Sequence, residues 1–288
     1  MLLSELKGRV PLLQLARWQT LAAFLMTAFV SLMIGGWRTI GLWQFCLLAG
    51  SSLAGIMIAS PTYLAAIYSI GPRMTALLFA LSSPFALALG YLALGETINA
   101  WQGAGVALVL CGIVLAIGAP HKFLERAASP PPTPFVALAP ARRQLKSMRQ
   151  GIILGVVTAL GQALGTLLAR PAMASGVEPF TGIALRSGLG GLFFIALLAF
   201  PFAQGARATL RSDTVGLAVL SAFVGIALGM SFLLAALRQG DVGVVSTLSS
   251  VTPVVILPMV WIRSGKRPSA PAWLGAVVAI AGTALISV

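Results

Sequence analysis

Leu81-Ser82-Ser83-Pro84 and Leu248-Ser249-Ser250-Val251-Thr252-Pro253 are two versions of one phrase. Moved by 169 residues, Pro84 falls on Pro253, Gly71 on Gly240 and Arg17 on Arg186. With one residue of slack, Gly105 falls on Gly275 and Gly112 on Gly282, and Gly105-Val106-Ala107-Leu108 resembles Gly275-Ala276-Val277-Val278. A near-constant offset held over so much of the chain marks an internal repeat.

The medium in which this repeat folds follows from composition. Of 288 residues, 58% are hydrophobic and 9% charged, against about 25% charged in a soluble domain. Such a chain cannot cover its own surface with polar groups in water, whereas a bilayer accepts an apolar surface. Spanning the hydrocarbon takes about 20 apolar residues. Apolar runs predict nine helices, near 12–35, 43–69, 74–94, 101–119, 151–170, 180–202, 215–237, 242–262 and 272–288. The breaks carry turn residues such as Gly71-Pro72-Arg73 and Gly95-Glu96-Thr97.

A net charge of +13 would suggest nucleic acid as the partner of a soluble protein. Here the basic residues lie between apolar runs, so they read as topology signals facing anionic lipid, and no nucleic-acid partner is expected. The N-terminal tail and every second connection hold Lys7, Arg9, Arg73, Lys122, Arg126, Arg142, Arg143, Lys146, Arg149, Arg207, Arg211, Arg263, Lys266 and Arg267. The other side holds Arg38, Arg170 and Arg238. This split puts the 120–150 segment in the cytoplasm and the C-terminus outside. That segment, with Pro130-Pro131-Pro132-Thr133-Pro134 and flanking charge, reads as a partly extended linker. The organisation expected is a first repeat over 1–119, a basic Pro-rich linker over 120–150, and a second repeat over 151–288.

The repeat exposes a gap. A partner for the 151–170 helix would lie before Met1, and Glu5-Leu6-Lys7-Gly8-Arg9-Val10-Pro11 matches the Gly176-Val177-Glu178-Pro179 loop after that helix. The full repeat unit is therefore read as five helices, the first repeat lacking its first helix. An odd number of spans gives the two halves opposite topology. The fold class expected is an all-α polytopic membrane protein of two inverted repeats.

These residues resemble the drug/metabolite transporter superfamily, in its EamA-type branch of ten-helix carriers. The resemblance rests on Ala16-Arg17 and Leu185-Arg186 early in a helix of each half. It rests also on Ser83-Pro84 in a helix ending Leu94-Gly95-Glu96-Thr97, and on Trp101-Gln102-Gly103-Ala104-Gly105 opening the next, with Gly112 further along. Lys266 departs from the pattern, standing where a second acidic residue is usual. The resemblance implies a pseudo-symmetric bundle with a central cavity, alternating access and export of amino acids or other small metabolites. It also implies ten helices with both termini in the cytoplasm, which the charge split does not reproduce.

Interrupted helices at matching places in two halves mark substrate sites in repeat transporters. Pro84 and Pro253 fit that description, since each frees a carbonyl one turn back. Ser82, Ser83, Ser249, Ser250 and Thr252 offer hydroxyls, either to a substrate or to the kink itself. Arg17 and Arg186 are either snorkelling or structural cations, or a clamp for carboxylate or phosphate. Tyr63, Tyr68, Tyr91, Trp18 and Gln162 are candidate cavity groups, Gln162 foremost because an amide in an apolar helix needs partners. Gly105 and Gly112, like Gly275 and Gly282, are two helical turns apart and pack helices closely, within the bundle or in a homodimer.

No acid lies deep in an expected helix, and His121, the one histidine, is in the linker. No metal cluster, catalytic triad or cofactor motif is legible. Cys46 and Cys111 sit in apolar runs as small hydrophobes. The function expected is carriage of a small metabolite, such as an amino acid, across the cell (inner) membrane. The other readings are a lipophilic-cation or drug exporter, a non-transporting remnant, and a membrane enzyme on lipid-linked substrates.

Overall fold

The computed structural model describes residues 11–97, 99–117, 139–200, 212–249 and 270–286. These are helical almost throughout, with no strand among the described residues. The chain is an all-α polytopic membrane protein. Among the described residues, five segments are long and apolar enough to cross a membrane: Leu12–Ile34, Leu42–Gly71, Met148–Ala174, Pro179–Ala199 and Val215–Ala236. Ser82–Leu94, Ala100–Ile117, Val242–Ser249 and Ala270–Ile286 are the other helices.

Several boundaries differ from the apolar pattern. The expected 43–69 and 74–94 helices meet at Gly71, whose φ of 83° and ψ of 164° break the backbone in a region closed to side-chain-bearing residues. A second break follows at Ala80-Leu81, and a new helix starts at Ser82. Pro84 thus stands in the first turn of Ser82–Leu94 and not in the middle of a helix. Its missing N–H is one that a helix start leaves unbonded anyway. The helix before Ala174 begins at Ala139, so residues 139–150 are helical and not extended linker. Residues 118–138 of that linker lie outside the described residues.

The two repeats pack as counterparts. Ala100–Ile117 lies along Ala270–Ile286, and Leu12–Ile34 lies along Pro179–Ala196. Ser82–Leu94 crosses Val242–Ser249. The 42–79 stretch packs on the 139–174 helix, and the 212–236 span on Leu12–Ile34. Both long middle spans carry a π-helical segment at the same repeat position, Leu53–Ile58 and Phe223–Met230. Such distortions widen the turn locally and recur at functional sites.

Close backbone approach explains the glycines singled out in the sequence. A Cβ on Gly112 would meet Ala279 N and the Gly275 carbonyl oxygen; one on Gly282 would meet the Gly105 carbonyl oxygen at 2.7 Å. All four lie in the contact between the last helices of the two repeats, within one chain.

The connections alternate between two ends. At one end Gly36 seats against Glu178 and Thr181, Gln44 reaches Ser175, and Glu96 reaches Val242. At the other, Gly151 seats against Ser69 and Ile70. The first end is the one that the sequence leaves poor in basic residues.

Candidate functional site

Arg186 is the centre of the site. It lies two turns into Pro179–Ala196, a helix opened by Pro179 and capped by Glu178. The Glu178 carboxylate accepts from Phe180 N at 2.9 Å and Thr181 N at 2.6 Å, satisfying donors that a helix start leaves free. Ser31 and Thr181 pair through their hydroxyls, tying this helix to Leu12–Ile34. The helix is thereby fixed at its start, and Arg186 projects into packing with no solvent access.

The Arg186 side chain reaches the π-helical segment of the first repeat. Gly55 makes room for it: a Cβ there would stand 2.7 Å from Arg186 Nη2. Behind Gly55 comes Gly165, whose own Cβ would stand 3.0 Å from the Gly55 Cα. Ser51 Oγ donates to the Gly165 carbonyl, and Ser52 Oγ donates to the Arg186 carbonyl at 2.7 Å. Helices 42–71, 148–174 and 179–196 therefore meet around one guanidinium. Arg186 is 1% exposed, and among the described residues its Nε and Nη1 have no hydrogen-bond partner. An uncompensated buried charge is among the most expensive features a fold can carry. A guanidinium offers five N–H groups in a planar fork that matches a carboxylate.

Arg17 occupies the matching place in the first repeat but is half-buried. By the 169-residue offset Gly55 matches Val224, and each lies in the π-helical segment of its repeat. Gly55 is packed against Gly165 and Arg186, whereas a Cβ on Gly225 would meet nothing. Val224 is 55% exposed, whereas Gly55 is buried. Among the described residues no helix covers this face of the second segment.

The Ala80 carbonyl, which Pro84 leaves without a donor one turn on, accepts from Ser83 N at 3.1 Å. The Ser83 hydroxyl pairs with that of Thr247, joining the repeats where Ser82–Leu94 crosses Val242–Ser249. Ser250, Thr252 and Pro253 lie outside the described residues. Gln162 is buried one residue from Gly161, which packs on the Ala54 carbonyl oxygen. Tyr63 stacks edge-on with Phe79, ring centroids 5.5 Å apart. Tyr68 and Trp18 are partly covered, and Tyr91 is 64% exposed.

Three groups escaped sequence reasoning. Gln19, buried two residues past Arg17, donates from Nε2 to Ser221 Oγ at 2.7 Å across the repeats. The amide-in-an-apolar-helix signal that picked Gln162 would have found it. Gly55 carries no sequence cue, since the repeat puts Val224 at its place. Glu96, read as a loop residue, bonds across the repeats to Val242. No group of three or more His, Cys, Asp or Glu able to hold a metal occurs among the described residues.

The model of the EamA-like transporter family matches residues 1–118 and 149–288. One solved crystal structure, described in words only as a protein, superposes with a TM-score of 0.71 at 16% identity. That likeness covers 99% of this chain and 92% of the other, and at such identity it is a likeness of fold. No curated protein matches the chain.

Proposed function

The chain belongs to the EamA-like transporter family, and on that premise we propose that it exports a small amphoteric or anionic metabolite, with amino acids the first class to test. It is a membrane transporter of the drug/metabolite type. The family consists of transporters, and on this reading the solute crosses chemically unchanged, by alternating access between the repeats, in a cell (inner) membrane.

One observation carries the substrate class: a buried guanidinium with Nε and Nη1 unpaired, enclosed by both repeats beside a π-helical segment. An arginine at mid-bilayer costs about 3 kcal/mol on insertion scales. A substrate carboxylate would supply the missing acceptors in bidentate geometry. The same charge repels a lipophilic cation, so the drug-exporter reading fits this site less well. Arg17, Gln162, Tyr63, Ser83, Pro84 and, by the repeat, Ser250, Thr252 and Pro253 are proposed to line the rest of the path.

The test is a ligand-dependent shift in unfolding temperature, with the protein in nanodiscs. A ligand at a hundred times its Kd stabilises by about 2.7 kcal/mol. Leucine and other amino acids should raise Tm in the wild type, and the corresponding amines without a carboxylate should not. Equal shifts with acid and amine, or an unchanged acid response in Arg186→Gln, would overturn the carboxylate assignment.

A further inference from the structure

Glu96 is placed with unusual care for a residue after a helix. Gly95 takes a left-handed conformation (φ 66°) and turns the chain back, so that Glu96 N donates to the Gly90 carbonyl at 3.2 Å. The side chain then lies over Gly90, and Glu96 Oε2 occupies the space a Cβ at Gly90 would need. Both carboxyl oxygens reach one donor in the other repeat, Val242 N, at 3.0 and 2.9 Å. The side chain is 9% exposed.

Among the described residues, the charged groups around it are two. Arg170, on the 148–174 span, brings Nε to 3.9 Å of Oε1, and that Nε has no hydrogen-bond partner. Asp241, just before Val242–Ser249, adds a like charge. An ionised carboxylate can accept about four hydrogen bonds. Here Val242 N serves both oxygens, Gly243 N adds a weaker backbone contact, and the guanidinium stands beyond hydrogen-bond range. Burial holds the Glu96 proton above the usual carboxylate range, against the pull of Val242 N, Arg170 and Gly243 N and helped by Asp241.

We propose that Glu96 is a proton-binding site that controls opening between the repeats at the end poor in basic residues. Three helices meet there: Ser82–Leu94, Val242–Ser249 and the 148–174 span. With the proton on, Glu96 stays buried and still accepts from Val242 N. When that end parts, water reaches the carboxyl, its proton leaves to the bulk, and the carboxylate is stabilised by hydration. The closed end binds the proton more tightly than the open end, so by linkage low pH favours closure and high pH favours opening.

The experiment uses no transported solute, so its outcome is separate from that of the carrier proposal. Val245 is 5% exposed, one turn inside Val242. In a Cys46→Ala, Cys111→Ala background, Val245→Cys is labelled with a small cationic methanethiosulfonate from pH 5 to 8.5, in nanodiscs. Dividing by the rate in the same protein carrying Glu96→Gln removes the pH dependence of the thiol. The ratio is expected near one at pH 5 and at least fivefold higher at pH 8.5, with Glu96→Ala labelled fast throughout. A flat ratio would overturn the proposal. Infrared difference spectra of protein with native Val245 give a second reading: a protonated-carboxyl band that titrates in wild type and vanishes in Glu96→Gln. Its persistence in that variant would also overturn the proposal.

Discussion

Gly55 and Gly165 lie in backbone contact, one from each repeat, and the Arg186 guanidinium rests against the first of them. The approach is close enough that a Cβ on Gly165 would stand 3.0 Å from the Gly55 Cα. Backbone cannot yield as a flexible side chain can. Gly165→Ala should therefore destabilise by about 1–3 kcal/mol, the usual cost of overpacking. Gly225→Ala, in the π-helical segment of the second repeat, should cost nothing measurable, because open space surrounds it. Thermal unfolding of the two variants in the same detergent checks the contrast.

Removing the buried charge should separate stability from binding. Arg186→Met keeps an apolar stem in place of the arginine's and deletes the unpaired guanidinium. Replacing buried charge with apolar side chains is neutral or stabilising by about 1–4 kcal/mol. The variant should unfold at the wild-type temperature or above it, and should lose the Tm response to amino acids. A large fall in Tm would mean that the guanidinium is held by partners within the fold and is no substrate group.

Ser83 and Thr247 pair where the repeats cross. Either alanine substitution leaves the other hydroxyl with one partner fewer; Thr247 keeps its bond to the Gly243 carbonyl at 2.8 Å. A double-mutant cycle should give a coupling near 0.6 kcal/mol, the membrane average, and below about 1.7.

Pro84→Ala restores an N–H at a helix start. The Ala80 carbonyl, now bonded to Ser83 N, would gain a donor one full turn on, and the break at Ala80-Leu81 would tend to close. The variant should insert and fold, with altered affinity for the amino acids that shift wild-type Tm. Wild-type affinity would remove Pro84 from the substrate path.

The pH dependence follows from Glu96. Its carboxyl is held above the ordinary value of 4.5 in the folded protein by burial. The stability it contributes is present in full below that ordinary value and is lost as pH rises through the folded value. Unfolding temperature measured from pH 4 to 8 should fall more steeply in wild type than in Glu96→Gln.

The sequence reveals the architecture well, because apolar runs and the 169-residue offset report directly on spans and duplication. Leu12–Ile34 was expected within one residue of where it lies. The broken helices are less legible. Apolar content is unchanged through the π-helical segments, so periodicity passes over Leu53–Ile58 without a mark. The arginines show a different limit. Arg17 and Arg186 match in sequence, yet their exposure is set by which other helices cover them, and that is a property of packing alone. Glu96 was passed over for the same reason, its partner Val242 being 146 residues away.

The most direct test of the account is counterflow in proteoliposomes. Vesicles loaded with one unlabelled amino acid at a time are diluted into a trace of the same labelled compound, with wild type and Arg186→Gln in parallel. The account predicts transient accumulation of at least one amino acid above protein-free vesicles in wild type, lost in Arg186→Gln. Equal accumulation in both proteins, or none across the twenty common amino acids, would contradict it.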